Sequence, residues 1–175
     1  MYRVLVIEAL QLGGARRMVA HDHAVADAAF VIQWHVLGMF VPSFFTGWLV
    51  KRLGLTVMML TGVCALLAHV AIALSGYEMA NYLSGLILLG IGWNFLYIGG
   101  STLLTETYRA TEKSKVQAMN DFLIVGLSAA SSLSAGALTQ AFGWRGLNLA
   151  AVPLLLVAGL AILIGTRRQA AAAAP

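Results

Sequence analysis

From Ala80 to Leu104 the chain carries no charged residue, and that run constrains the fold more than any other stretch. At ~1.5 Å of rise per residue, a helix of this length crosses a hydrocarbon layer ~30 Å thick. No water is available there to satisfy the backbone, so a spanning segment must be a helix or a strand of a closed barrel. Barrel strands alternate apolar and polar residues over segments of about ten, and the long apolar runs here do not alternate. Composition extends the reading to the rest of the chain. Of its 175 residues 60% are hydrophobic and only 10% charged, where a soluble domain has about a quarter charged. The expected fold is all-α, a multi-pass transmembrane bundle of about five spanning helices in contact with the lipid bilayer.

The expected spans cover about residues 27–50, 55–76, 80–104, 117–139 and 146–166, within a bundle over 26–168. Residues 1–25 are read as an irregular or interfacial segment, because VLVIEALQL is too short to cross and is interrupted by Glu8. Residues 169–175 have nothing to bury and are read as a disordered tail. Pro42 lacks a backbone donor and is expected to bend the first span. His21, Asp22 and His23 stand together beside the first span and read as solvated rather than as a metal site. Cys64 sits alone in an apolar run and is expected in the core, which leaves no disulfide framework and no thiolate metal site. Neither a metal nor a cofactor is expected.

The third span has two different faces. Gly85, Gly92 and Gly99 recur at seven-residue spacing and fall near one line, suited to the close helix contacts that small residues permit in lipid. Gly90, Asn94, Tyr97 and Ser101 form a second line roughly opposite. An unpaired amide in hydrocarbon costs several kcal/mol, so Asn94 must face other helices or a wet cavity. Two roles follow for it: interhelical bonding, or lining a solute path. In the fourth span Ser128, Ser132 and Gly136 form another small-residue line. His35 lies deep in the first span, where a titratable group is expensive, and is either a solute or proton contact or a neutral ring bonded to a neighbour. His35, Trp93, Asn94, Tyr97 and Ser101 are the candidates for a substrate cavity. The second and fifth spans are apolar all round and are expected on the outside, against lipid.

Basic residues orient the bundle. Lys51, Arg52, Arg109, Lys113, Lys115, Arg167 and Arg168 fall on one side, seven in all, against four on the other, Arg3, Arg16, Arg17 and Arg145. The richer side is expected to be cytoplasmic, with the carboxy terminus. The net charge of +4 is explained by these loops, so nucleic acid is rejected as a partner. Arg52, Glu106 and Asp121 lie at that same face and are expected to form a charge cluster there.

Several of these segments resemble the major facilitator superfamily. GWLVKRLG, Gly47 to Gly54, is similar to its short loop signature: Gly47, Arg52 and Gly54 match, while Lys51 replaces an acid. IQWHVLGMF, LLGIGWNFLYIGGSTLLTETYR and QAMNDF extend the resemblance over about Ala20 to Arg168. The resemblance implies that the five spans are the eighth to twelfth of twelve, with the tenth lining a central cavity. It places the eighth and eleventh against the other half and the ninth and twelfth outside. A seventh span and the amino-terminal half have no counterpart in the chain, so an incomplete transporter is expected, completed by a complementary amino-terminal half. The expected function is transmembrane transport of a small solute, unknown in kind, in the cytoplasmic (inner) membrane. No phosphate-cradling glycine loop with lysine occurs, so coupling would come from an ion or proton gradient. The competing reading is a non-transporting membrane partner or assembly subunit. An enzyme is not expected, since no triad or metal-ligand spacing appears.

Overall fold

The computed structural model describes residue 18, residues 24–105 and residues 108–172, except for the side chains of 25, 110, 132, 135–136 and 167–172. Every regular element among them is helical: α1 (Val25–Phe40), α2 (Ser43–Leu53), α3 (Leu55–Ser75), α4 (Met79–Thr105), one 3-10 turn (Ala110–Glu112) and α5 (Lys113–Ala172). The protein is an all-α, multi-pass helix bundle. The interfacial segment expected at the amino terminus, including His21 to His23, falls almost wholly outside the described residues.

α1 and α2 are one apolar segment broken at Val41–Pro42 and bent by 43°. Proline has no N–H to continue the helical ladder, and its ring clashes with the preceding turn. α3, α4 and Ala137–Thr166 of α5 are each long and apolar enough to cross a membrane, and the bent pair makes up to four such spans among the described residues.

Two reversals depend on glycine. Gly54, at φ 82° and ψ 155°, joins α2 to α3. Gly143, at φ 63° and ψ 174°, interrupts α5 and divides it into two arms, 113–142 and 144–172. Side chains with a Cβ scarcely enter this backbone region, at a cost of ~1–3 kcal/mol. Gly143→Ala should therefore lose about that much stability even though its Cβ would meet nothing within 4 Å. A thermal melt in detergent that matches wild type would refute this account of the turn.

α4 is the centre of the bundle. α3 runs antiparallel to it, pairing Gly62 with Gly92 and His69 with Gly85, while α1 runs parallel to it on its other side. The second arm of α5 returns antiparallel to α3: Trp144 Nε1 donates to the Ala73 carbonyl at 3.0 Å, and Thr56 and Thr166 are hydrogen-bonded at 3.0 Å at the far end. The main core lies between these elements, with Met59, Val63, Leu66 and Val70 of α3 against Leu89, Leu96, Leu147, Ala151, Leu155 and Ile162. A smaller core at the Ala73 end joins Met18, Ala28, Val31, Tyr82 and Leu86.

α3 has α4 on one flank and α5 on another and keeps an outward side, with Val57 exposed. This packing corrects one expectation. Cys64 is exposed rather than in the core, because it lies on the side of α3 turned away from both neighbours. The first arm of α5 leaves Phe122, Val125 and Leu133 exposed.

Candidate functional site

The break in the first span exposes backbone that α4 then satisfies. Without a proline N–H and with the ladder interrupted, carbonyls near the end of α1 lose their usual donors. Asn94 supplies one: its Nδ2 donates to the Met39 carbonyl at 2.5 Å and to Ser43 Oγ at 2.6 Å. The Thr46 hydroxyl lies 2.7 Å from the Pro42 carbonyl and 3.2 Å from Asn94 Oδ1, so its one proton is shared between them. Asn94 is 1% exposed, and both its donors and its acceptor are engaged within the bundle. The amide spans the break.

Close approach makes those bonds possible. A Cβ on Gly90 would stand 2.5 Å from the His35 carbonyl oxygen and 2.9 Å from the Met39 nitrogen, and one on Gly38 would stand 2.9 Å from the Ile87 carbonyl oxygen. On the opposite face of α4, a Cβ on Gly92 would meet Leu66 at 2.7 Å and the Gly62 carbonyl oxygen at 2.9 Å. Gly85 and Gly99 lie on that same face, against His69 and Met59.

Two histidines fasten α4 from its two sides. His35 Nδ1 donates to the Leu86 carbonyl at 2.7 Å, and His69 Nδ1 donates to the adjacent Gly85 carbonyl at 2.8 Å. Both rings are fully buried, and neither Nε2 has a hydrogen-bond partner among the described residues. A carbonyl can only accept, so in the neutral ring the proton sits on Nδ1 and Nε2 carries a lone pair. His69 was not among the sequence candidates, since it has no polar neighbour on its own helix. The signal was on another helix: Gly85, with no side chain, leaves its carbonyl open to a ring.

The other candidates are spread apart. Trp93 and Tyr97 stack on each other on α4, with Tyr97 39% exposed, and Ser101 is half-buried one turn further. Arg52 is exposed with its guanidinium 5.2 Å from the Trp48 ring, and Asp121 accepts from Asn120 at 3.3 Å. No ion pair joins Arg52 and Asp121 among the described residues, and Glu106 lies outside them. Ser128 is half-buried on the first arm of α5, where Ser132 and Gly136 have no described side chains. Among the described residues, recesses lie elsewhere, one beside the break around Trp34, Pro42 and Ile91 and another between Thr56, Leu103 and Thr166. Neither is lined by the buried amide or by the stacked rings.

The chain matches the profile of the Major Facilitator Superfamily over residues 14–175. It is 38% identical over 156 residues to the riboflavin transporter RfnT of Brucella anthropi, covering 89% of this chain and 39% of that protein. It is 35% identical over 131 residues to the uncharacterized MFS-type transporter YdeG of Bacillus subtilis, covering 74% of this chain and 30% of the relative. The chain thus spans well under half the length of these curated relatives. No solved structure matches it. A match over nearly the whole chain, on a bundle with apolar spans and a buried polar bracket, decides its membership: this multi-pass membrane protein belongs to the Major Facilitator Superfamily.

Proposed function

We propose that the bundle acts as one half of a secondary transporter in the cytoplasmic membrane, working against a complementary amino-terminal half to move a flavin-class solute. The observation that carries this is the 38% identity to a riboflavin transporter across 89% of the chain. Alternating access needs two bundles that rock about a shared central site. The two histidines and Asn94 suit such a role by binding α1, α3 and α4 into one body, so that rocking moves them together. The seven basic residues of the cytoplasm-facing set lie in the last turn of α2, between α4 and the first turn of α5, and near the carboxy-terminal end of α5, at the end where Thr56 meets Thr166, whereas Arg145 follows the turn at Gly143 beside Trp144. By the excess of positive charge, the Thr56 end faces the cytoplasm.

The test is uptake in a riboflavin-requiring strain with the chain expressed alone, with an amino-terminal half from a family relative, or with empty vector. Riboflavin uptake above vector in the paired strain is expected. Assembly of the pair without flavin uptake would reject this reading and favour a non-transporting membrane partner.

A further inference from the structure

One face of α4, between its contacts with α1 and α3, carries the rings of Trp93 and Tyr97, 4.7 Å apart and 8° from parallel. Their backbones are four residues, or about 6 Å, apart along the helix, so rings this close and this parallel stack along the axis. The next place in the column falls to residues three and four beyond Tyr97. These are Gly100 and Ser101. A Cβ on Gly100 would meet nothing within 4 Å, and serine is too small to fill a ring-sized gap. The column therefore ends on Tyr97, 39% exposed, with a slot beyond it left uncovered by any side chain at Gly100. Toward the Ala73 end the same face is shut by Tyr82 and Leu86, buried with Met18, Ala28 and Val31. The slot opens toward the Thr56 end.

We propose that Tyr97 is the stacking platform for a planar heteroaromatic ligand of the isoalloxazine class, with the bare backbone at Gly100 as the floor of the slot. This rests on the flavin reading above. Aromatic faces prefer offset parallel contact with a second flat π-system, which distinguishes this slot from an aliphatic wall that would accept any apolar solute. Trp93 packs against the main core and holds the tyrosine from behind, so little side-chain freedom is lost when a ring docks. The platform determines specificity for the ring, while the polar tail of such a ligand would extend past Ser101 toward the open end.

Quenching of riboflavin fluorescence on stacking gives a direct readout with the full chain copurified in detergent with the amino-terminal half of a family relative. Wild type and Tyr97→Phe, which keeps the ring, should show the same saturable quenching. Tyr97→Leu removes the platform and Gly100→Leu fills the slot, and each should raise the Kd about tenfold, the loss expected for one aromatic stack. Lumichrome, a related ring system without the ribityl tail, should compete. The first carbon of Gly100→Leu would meet nothing within 4 Å, so its thermal melt should not fall below that of wild type, which separates lost binding from lost folding. Saturable quenching by wild type with unchanged Kd in both leucine variants would overturn the platform and leave the flavin reading standing. No saturable quenching by wild type paired with that amino-terminal half would overturn the flavin reading and the platform with it.

Discussion

Replacing Gly90 with leucine should abolish the native packing of α1 on α4, and even Gly90→Ala should cost about 3 kcal/mol. The first added carbon would stand 2.5 Å from the His35 carbonyl oxygen and 2.9 Å from the Met39 nitrogen. Overpacking in a core typically costs ~1–3 kcal/mol when side chains can shift. Here the obstacles are backbone atoms of a helix fastened to α4 by the His35–Leu86 bond and by Asn94, so relief requires moving the helix. Gly100 provides the control, since Gly100→Ala enters open space and should be neutral or stabilising by up to ~1 kcal/mol through helix propensity. Both effects are measurable as melting temperature and monodispersity in detergent. A Gly90→Ala protein as stable as wild type would show that α1 does not lie as close as described.

Asn94→Leu should have the second largest effect, about 2–3 kcal/mol, and a distinctive one. Interhelical polar bonds in membranes are each worth ~0.6–2 kcal/mol, and this change removes the partner of the Met39 carbonyl, Ser43 and Thr46 together. Leaving a buried carbonyl without a donor adds its own penalty. Because these groups straddle Pro42, the bend between α1 and α2 should lose its constraint before the rest of the bundle melts. Spin labels near the start of α1 and the end of α2 would report this as a broadened distance distribution in Asn94→Leu. Ser43→Ala, which removes one contact, should broaden it less. An unchanged, narrow distribution in Asn94→Leu would mean that the proline alone holds the bend.

The residues differ in how much of this they reveal by themselves. Asn94 announces that it needs partners, because an amide at that depth is too costly to leave free. It does not announce which ones: Met39, Ser43 and Thr46 lie some fifty positions away, around a break whose consequence is a carbonyl in need of a donor. His35 is similar, since depth alone allowed a solute contact as readily as a bond to Leu86. Gly90 was grouped with Asn94 on one line of the helix, and that line meets α1. The charged residues are the least legible. Arg52 and Asp121 share a membrane face in the sequence, yet long side chains at an aqueous boundary gain little from pairing, and Arg52 rests over Trp48 instead.

What the sequence determined unaided is the class of structure, because hydropathy and length are local and hydrocarbon tolerates only segments that satisfy their own backbone. The run from Ala80 to Leu104, the proline break and the glycine spacing on α4 can all be read within single helices. Neighbour choice belongs to the tertiary structure alone. α3 shows why: a helix apolar on every side fits equally well against lipid, α4 or α5, so no residue within it specifies its place. Only contacts made on folding, His69 against the bare carbonyl of Gly85 and Trp144 against Ala73, decide between them.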